Sequence, residues 1–147
     1  MNCRKIIIIY IICGSLLFSA CGAVVRTGDR NNPVSVEYAI EKTEQYVGDS
    51  LFVKAYPVAY MREVSFIGEE TFNIFFSDSE EDRVGEIDGF YEASDNWLSA
   101  HIHKDSTLYD YAINAIDGDA KLQKITIEFK VTKENGWIYT RFVDWEK

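Results

Sequence analysis

The strongest constraint on the fold is the strict alternation of apolar and polar residues near the end of the chain, in LQKITIEFKVT. Ile125, Ile127, Phe129 and Val131 fall at every second position, which is the period of a β-strand with one buried face. A second alternating segment, WIYTRFVDW, follows after KENG. An Asn-Gly pair between two such segments is typical of a β-hairpin, so the chain is predicted to end in an antiparallel pair of strands.

Two registers of this hairpin are compatible with the sequence. A two-residue turn at Asn135-Gly136 sets Lys130 opposite Arg141, and a like-charge pair directly across a ladder is unfavourable. A four-residue loop gives better matched pairs: Glu128 with Arg141, Ile127 with Phe142 and Lys124 with Trp145. We therefore predict the register of the four-residue loop.

Two segments upstream have the apolar spacing of amphipathic helices. The first begins after Ser35, a suitable N-cap, and ends at Gly48. Its apolar positions are Val36, Ala39, Ile40, Thr43 and Val47. The second is capped by Asp105 or Ser106 and ends at Gly118, with a stripe formed by Leu108, Ala112, Ala115 and Ile116.

Further strands are predicted between these helices. SLFVKAYPVAYMREV is a long strand in which Pro57 marks a bulge, a bend or an edge, since proline cannot donate to a ladder. TFNIFF and NWLSAHIHK are also predicted strands, and a short one is expected at 89–93 within the acidic segment. The fold class is therefore mainly β (α+β), with five or six antiparallel strands.

The order of these elements, with a bent first strand and a helix before the final hairpin, resembles the OB fold, a five-stranded and partly open barrel. Small lipoproteins with OB-like domains are similar to this chain across residues 50–146, although no sequence motif defines the match. The helix before the first strand is an addition. A helix packed on an open, strongly bent antiparallel sheet is the alternative.

The first residues have the layout of a secretory signal peptide. Arg4 and Lys5 precede an apolar run at 6–18, which is shorter than the roughly 20 residues needed to span a bilayer. Phe18, Ser19 and Ala20 then lead into Cys21, a pattern that resembles the lipobox of bacterial lipoproteins. The resemblance implies cleavage before Cys21 and a diacylglycerol on its sulfur. A signal peptide cut nearby, with Cys21 left as a thiol, is the alternative.

Length, charge and cysteine content limit the possible organisation and partners of the remainder of the chain. Residues 1–20 are predicted to be the cleaved signal peptide, 21–33 a flexible tether and 34–147 a single domain. The chain of 147 residues carries a net charge of −9 and becomes more acidic when the signal peptide leaves. Such a surface repels phosphate backbones, so no nucleic-acid partner is expected. Cys3 and Cys13 leave with the signal peptide, which leaves no disulfide to stabilise the domain.

Three groups of residues are candidate sites. His101, His103 and Asp105 would share one face of a strand and offer ligands for zinc or copper, unless they are only solvent-facing polar residues. Trp137, Tyr139, Arg141 and Trp145 should project from one face of the last strand, as binding residues if exposed or as a second core layer if the first helix covers them. A cluster of carboxylates offers oxygen ligands for calcium, but it lacks the glycine and glutamate spacing of an EF-hand: Asp78, Glu80, Glu81, Asp82, Glu86 and Asp88.

No motif of a hydrolase, a metalloprotease or a phosphate-binding loop is present, and no cofactor is expected. The sequence therefore favours a non-catalytic binding or adaptor module, held at the membrane by the lipid on Cys21 and facing away from the cytoplasm. Its expected partner is a protein or a glycan of the cell envelope. A sensor of metals or small ligands and a cell-envelope hydrolase are the alternative functions.

Overall fold

The computed structural model describes residues 27–87, 97–118 and 121–147. The signal peptide, Cys21 and the short strand predicted at 89–93 lie outside these residues. The elements, in chain order, are α1 (Val36–Lys42), a 3₁₀ turn (Thr43–Tyr46), β1 (Ser50–Val64), β2 (Glu70–Ser77), a second 3₁₀ turn (Glu80–Asp82), β3 (Gly85–Glu86), β4 (Leu98–His103), α2 (Thr107–Asp117), β5 (Ile125–Glu134) and β6 (Trp137–Glu146). In the described part of the chain, no helix has the length and apolar character needed to cross a bilayer.

The fold is mainly β, built on one six-stranded sheet. Five strands follow the order β4-β2-β1-β5-β6 with antiparallel neighbours, and the two-residue β3 pairs in parallel with β1. In the described residues no ladder joins the outer strands β4 and β6. The sheet is therefore not closed into a barrel, and the predicted OB-like barrel is not confirmed. β4 and β6 approach each other without forming a ladder, and the end of β6 also contacts α2, where Trp145 stacks on Tyr111.

Strand β1 changes partner halfway along its length. Its first half pairs with β5 and its second half with β2, and the register with β2 shifts between Pro57 and Ala59. The irregularity predicted at Pro57 is confirmed, because a residue without an N–H interrupts the ladder there. On the side of its first half away from β5, β1 pairs with Val34, whose N–H donates to the carbonyl oxygen of Phe52 at 2.9 Å.

Both helices pack on one face of this sheet. α1 contributes Val36 and Ala39, and α2 contributes its predicted apolar stripe, to a core whose largest fully buried side chains include Phe76 and Phe129. The two phenyl rings meet edge to face, with their centroids 6.3 Å apart. A smaller cluster of Val58, Ala59 and Phe75 is partly covered by Ile87 and Trp97.

Several polar residues stabilise the ends of the two helices. Ser35 caps α1 by accepting from the Tyr38 N–H, and the two carboxylate oxygens of Asp78 accept from the N–H groups of Val36 and Glu37 at 2.9 and 3.0 Å. A carboxylate at this end also interacts favourably with the helix dipole. α1 ends at Lys42, before the predicted end near Gly48, and a 3₁₀ turn continues to Tyr46. Ser106 caps α2 by accepting from the Tyr109 N–H.

The register predicted for the final hairpin is wrong. Glu134 pairs with Trp137 across a two-residue turn, and Lys130 lies opposite Arg141. Asn135 and Gly136 have φ angles of 51° and 86°, so the turn has the left-handed backbone that matches the twist of paired strands. The like-charge pair is tolerated because the Lys130 ammonium donates to the Gly48 carbonyl oxygen at 2.6 Å.

The end of α2 is joined to the sheet by a partly buried hydrogen bond. The Tyr60 hydroxyl donates to Asp117 Oδ2 at 2.8 Å. Burial, reinforced by the adjacent carboxylate of Asp117, raises the pKa of Tyr60 well above its ordinary value of 10.0. Glu86 and Tyr109 contribute to the same shift.

This shift predicts a loss of stability at high pH. Below pH 10, Tyr60 is protonated in both the folded and the unfolded state. Above pH 10 the tyrosine ionises in the unfolded chain but not in the folded one. The contribution of Tyr60 therefore lowers the free energy of unfolding by up to about 1.4 kcal/mol per pH unit. Tyr60→Phe should cost about 1 kcal/mol at neutral pH but make this decline shallower. Urea unfolding at pH values from neutral to 12 measures both effects. Tyr139→Phe is the control, and equal slopes for wild type and Tyr60→Phe would contradict the prediction.

Candidate ligand groove and aromatic surface

A bulge near the end of β6 separates the four residues predicted to share one face. Glu128 pairs with Asp144, whereas the next residue, Phe129, pairs with Phe142, so Val143 is an extra residue in β6. Such an insertion reverses the alternation of side chains beyond it. Trp145 consequently lies on the core side of the sheet, opposite Ile127, and the prediction of a single face is wrong for this residue.

Trp137, Tyr139 and Arg141 do share one face, and it is exposed. The side chain of Trp137 is 72% exposed and that of Tyr139 is 50% exposed. The interpretation as a second core layer under the first helix is wrong, because α1 buries Val36 and Ala39 in the core on the other side of the sheet. We call Trp137, Tyr139 and Arg141 the hairpin face.

Trp145 forms one wall of an open groove between α2 and the end of β6. The groove has a volume of about 560 Å³. Its lining comes from α2, from the segment after α2 and from β6: Thr107, Asp110, Tyr111, Asn114, Ala115, Lys121, Gln123, Trp145 and Lys147. It therefore combines a stacked aromatic pair with amide, carboxylate, hydroxyl and ammonium groups.

The aromatic pair is held in place by contacts on several sides. The rings of Tyr111 and Trp145 stack with centroids 4.9 Å apart and planes 29° apart. The indole N–H of Trp145 donates to Thr107 Oγ1 at 3.1 Å. The ammonium group of Lys147 lies 4.7 Å from the centre of the Tyr111 ring, a cation–π contact. The orientation of the Trp145 indole is thus fixed by α2.

Hydrogen-bonding groups lie beside these rings. The Tyr111 hydroxyl donates to the Gln123 carbonyl oxygen at 3.4 Å, and burial raises the pKa of Tyr111 above its ordinary value of 10.0. One turn of α2 brings Asp110 and Asn114 onto the same side, where the Asn114 amide donates to the Asp110 carbonyl oxygen at 2.6 Å. A fixed aromatic surface with polar groups at its border is suited to a flat, hydroxyl-rich ligand.

Sequence reasoning found only Trp145 of this groove. Tyr111, Asp110 and Asn114 lie outside the apolar stripe of α2, and polar residues there are typical of any solvated helix face. The lone tyrosine among them was the available signal, but its partner lies on β6, more than thirty residues away in sequence. Only the packing of β6 against α2 brings the two rings together.

The candidate metal ligands are not brought together. His101 and His103 are both exposed on β4, but the strand ends at His103 and Asp105 lies in the following turn. The Nδ1 atom of His101 lies 3.1 Å from Asn73 Oδ1 and 3.9 Å from Glu63 Oε2. Within 27–87, 97–118 and 121–147, no three histidine, cysteine or acidic side chains form a group able to hold a metal ion.

The acidic segment proposed for calcium has mainly structural contacts. Asp78 caps α1, and Asp82 accepts a hydrogen bond from the Ser77 hydroxyl. Glu80 and Glu81 belong to the second 3₁₀ turn, Glu86 to β3, and Asp88 lies outside the described residues. These carboxylates therefore belong to different elements, and two of them already accept hydrogen bonds from the protein.

Among the sites compared above in the described residues, the groove and the hairpin face are the stronger candidates for a functional site. Comparison of the chain with protein-family models, with curated proteins and with solved structures finds no match. The assignment of a function rests on the residues and geometry described above.

Proposed function

We propose that the protein is a lipid-anchored, non-catalytic binding module that holds a glycan of the cell envelope in the groove between α2 and β6. The proposal places the domain outside the cytoplasm, either on the outer face of the cell membrane or, in a bacterium with two membranes, in the periplasm. The anchor is the lipid on Cys21, as implied by the resemblance of the segment 18–21 to a lipobox. No nucleic-acid partner or cofactor is part of the proposal.

The observation that carries the proposal is the stacked pair of Tyr111 and Trp145 beside the polar groups of α2. A pyranose ring has an apolar face that stacks on an aromatic ring and hydroxyl groups at its border that hydrogen-bond to amides and carboxylates. The groove offers both kinds of contact within one open volume of about 560 Å³. Its shape also admits a chain of sugars, because it is open at the surface.

We also infer that the sheet is an OB-like arrangement with an incomplete barrel. Pairing of β4 with β6 would close the order β4-β2-β1-β5-β6 into a ring of five strands. The described residues of β4 and β6 approach each other without forming a ladder, and the end of β6 also contacts α2 through Trp145.

The test is glycan binding by the chain from Gly22 onward, with soluble peptidoglycan fragments and N-acetylglucosamine oligomers as probes. A ligand at one hundred times its dissociation constant adds about 2.7 kcal/mol to the free energy of unfolding, which thermal unfolding detects. Trp145→Ala should weaken binding at least about tenfold, equivalent to about 1.4 kcal/mol of binding free energy.

Trp137→Ala is the matched control, because it removes an indole from the same strand but from the exposed opposite face. Urea unfolding in the absence of ligand checks that both variants are folded. Equal loss of affinity in the two variants, or no stabilisation of wild type by any glycan, would contradict the proposal.

A further inference from the structure

Residues 27–34, which we call the strap, lie along the first half of β1 ahead of α1. The Phe52 N–H donates to the Gly28 carbonyl oxygen at 2.9 Å, and the Lys54 N–H donates to the Val34 carbonyl oxygen at 2.8 Å. The strap is therefore hydrogen-bonded to the sheet near both of its ends.

A tight turn in the strap places Arg30 over the sheet. Asp29 Oδ1 accepts hydrogen bonds from the N–H groups of Asn31 and Asn32 at 2.9 and 2.8 Å. An aspartate that accepts from the backbone two and three residues further on stabilises a turn of this kind. Arg30 belongs to this turn, and its guanidinium carbon lies 5.6 Å from the centre of the Phe52 ring, a cation–π contact.

The ladder between β5 and β6 contains a like-charge pair on the same side of the sheet as Arg30. Glu128 lies directly opposite Asp144, and the Glu128 side chain is only 19% exposed. Like charges directly opposite each other destabilise an antiparallel pair. The Ser50 hydroxyl donates to Glu128 Oε1 at 2.7 Å but carries no charge. The pair is therefore stabilised by a positive charge close to it.

Arg30 supplies a positive charge at this position. Its Nη2 atom lies 4.0 Å from Glu128 Oε2. Arg30 also lines a small pocket with Glu128, Asp144 and Glu146, and the pocket volume of about 10 Å³ leaves room for no more than one water molecule. Among the described residues that line this pocket, Arg30 is the only basic one. The strap thus brings one guanidinium group to three carboxylates at the end of β6.

The same end of β6 carries Trp145. Asp144 Oδ1 accepts from the Trp145 N–H at 2.8 Å, and Trp145 lines both the pocket beside Arg30 and the groove. Without the bulge at Val143, the ladder would place Trp145 opposite Thr126, with its indole on the face of the sheet away from the core. Contacts with α2 fix the indole once it is on the core side, but the bulge decides which side it takes.

We propose that Arg30 is a positioning residue for the groove: by neutralising Glu128 and Asp144, it stabilises the bulged end of β6 that brings Trp145 to the ligand. The effect on binding rests on the proposed function, because Arg30 does not line the groove itself. Packing of the strap and binding in the groove are then coupled, and each stabilises the other to the same extent. The strap begins six residues after Cys21, so this coupling joins the segment of the predicted anchor to the ligand site.

The first measurement needs no ligand and uses the full chain as expressed, solubilised in detergent. The indole N–H signal of Trp145 is assigned in the NMR spectrum by its loss in Trp145→Phe. Arg30→Gln should shift this signal and speed its exchange with deuterium about two- to fivefold, because the hydrogen bond to Thr107 Oγ1 is formed less of the time. Arg30→Lys keeps the charge and should restore the signal in part. Arg141→Gln is the matched control on the hairpin face and should leave it unchanged.

The second measurement uses a glycan that binds wild type, taken from the peptidoglycan fragments and N-acetylglucosamine oligomers named above. Arg30→Gln should weaken its binding about two- to fivefold, Arg30→Lys should weaken it less, and Arg141→Gln should not change it. In the reciprocal experiment, saturating glycan should slow deuterium exchange of the Phe52 N–H, which donates to the strap, by a similar factor. Trp145→Ala should remove this protection.

The two measurements separate this inference from the proposed function. An altered indole signal together with weaker binding in Arg30→Gln supports the positioning role. An unchanged indole signal, or wild-type affinity for the glycan, overturns that role and leaves the groove as the glycan site. If no glycan binds wild type, the proposed function fails, and the indole signal alone decides whether Arg30 positions Trp145. Urea unfolding confirms that each variant is folded.

Discussion

Cys21→Ser is expected to abolish acylation of the protein, whereas Cys13→Ser is expected to leave it unchanged. A serine hydroxyl at position 21 cannot form the thioether that carries the diacylglycerol. Each buried methylene contributes about 0.8 kcal/mol, so loss of two or three acyl chains removes the whole of a stable anchor. Cys13 lies in the segment that leaves with the signal peptide, and it is the matched control for the loss of one thiol.

Metabolic labelling with radioactive palmitate measures this effect directly. Label should be present in wild type and in Cys13→Ser and absent from Cys21→Ser, which should also fail to enter the detergent phase after phase separation. Label that persists in Cys21→Ser would show that the acyl chains lie elsewhere. That result would remove the anchor from the proposed function without affecting the groove.

Phe76→Ala is expected to lower the free energy of unfolding by about 3 to 5 kcal/mol. Phe76 is fully buried, and its ring packs against Phe129, so truncation removes a large apolar surface and leaves a cavity in the only large core of the described residues. A loss of this size is a large fraction of the total stability of a domain of this length.

Phe66→Ala makes the same chemical change at a side chain that is 106% exposed. It should change the free energy of unfolding by no more than about 0.5 kcal/mol. Urea unfolding monitored by tryptophan fluorescence compares the two variants under the same conditions. Similar losses for the two would mean that Phe76 does not occupy the core, which would contradict the described packing of β2.

The type of each main element was readable from local patterns. The alternation of apolar and polar residues at 125–131 indicated a strand, because successive side chains of a β-strand point to opposite faces of the sheet. Pro57 indicated an irregularity because it lacks an N–H. Ser106 as a cap and Gly118 as the end of α2 follow from the same local reasoning. These features depend on neighbours within a few residues.

The hairpin register illustrates where local reasoning failed. Charge pairing favoured a four-residue loop, but the left-handed conformation of Asn135 and Gly136 outweighed one like-charge pair. The decisive contact was that of Lys130 with the Gly48 carbonyl oxygen, made by a residue more than eighty positions earlier in the chain. Gly48 lies outside the hairpin, so a comparison of residue pairs within the hairpin does not include this contact.

The bulge at Val143 had the larger consequence for the candidate sites. It moves Trp145 to the core side of the sheet and leaves Trp137 and Tyr139 exposed on the other, so one predicted aromatic face becomes two surfaces. Asp78 is a similar case, since it belongs to a segment that suggested calcium but caps a helix forty residues earlier.

The sequence by itself therefore determined the mainly β class and the approximate positions of the strands and of α2, because each depends on a local pattern, whereas the leader with its lipobox-like cysteine stays a prediction. Only the tertiary structure decided that the sheet is not closed, which register the hairpin adopts and which aromatic rings meet in the groove. The physical reason is that these outcomes depend on contacts between residues far apart in sequence, such as Tyr111 with Trp145. The free energy of such a contact cannot be inferred from the pattern of neighbouring residues.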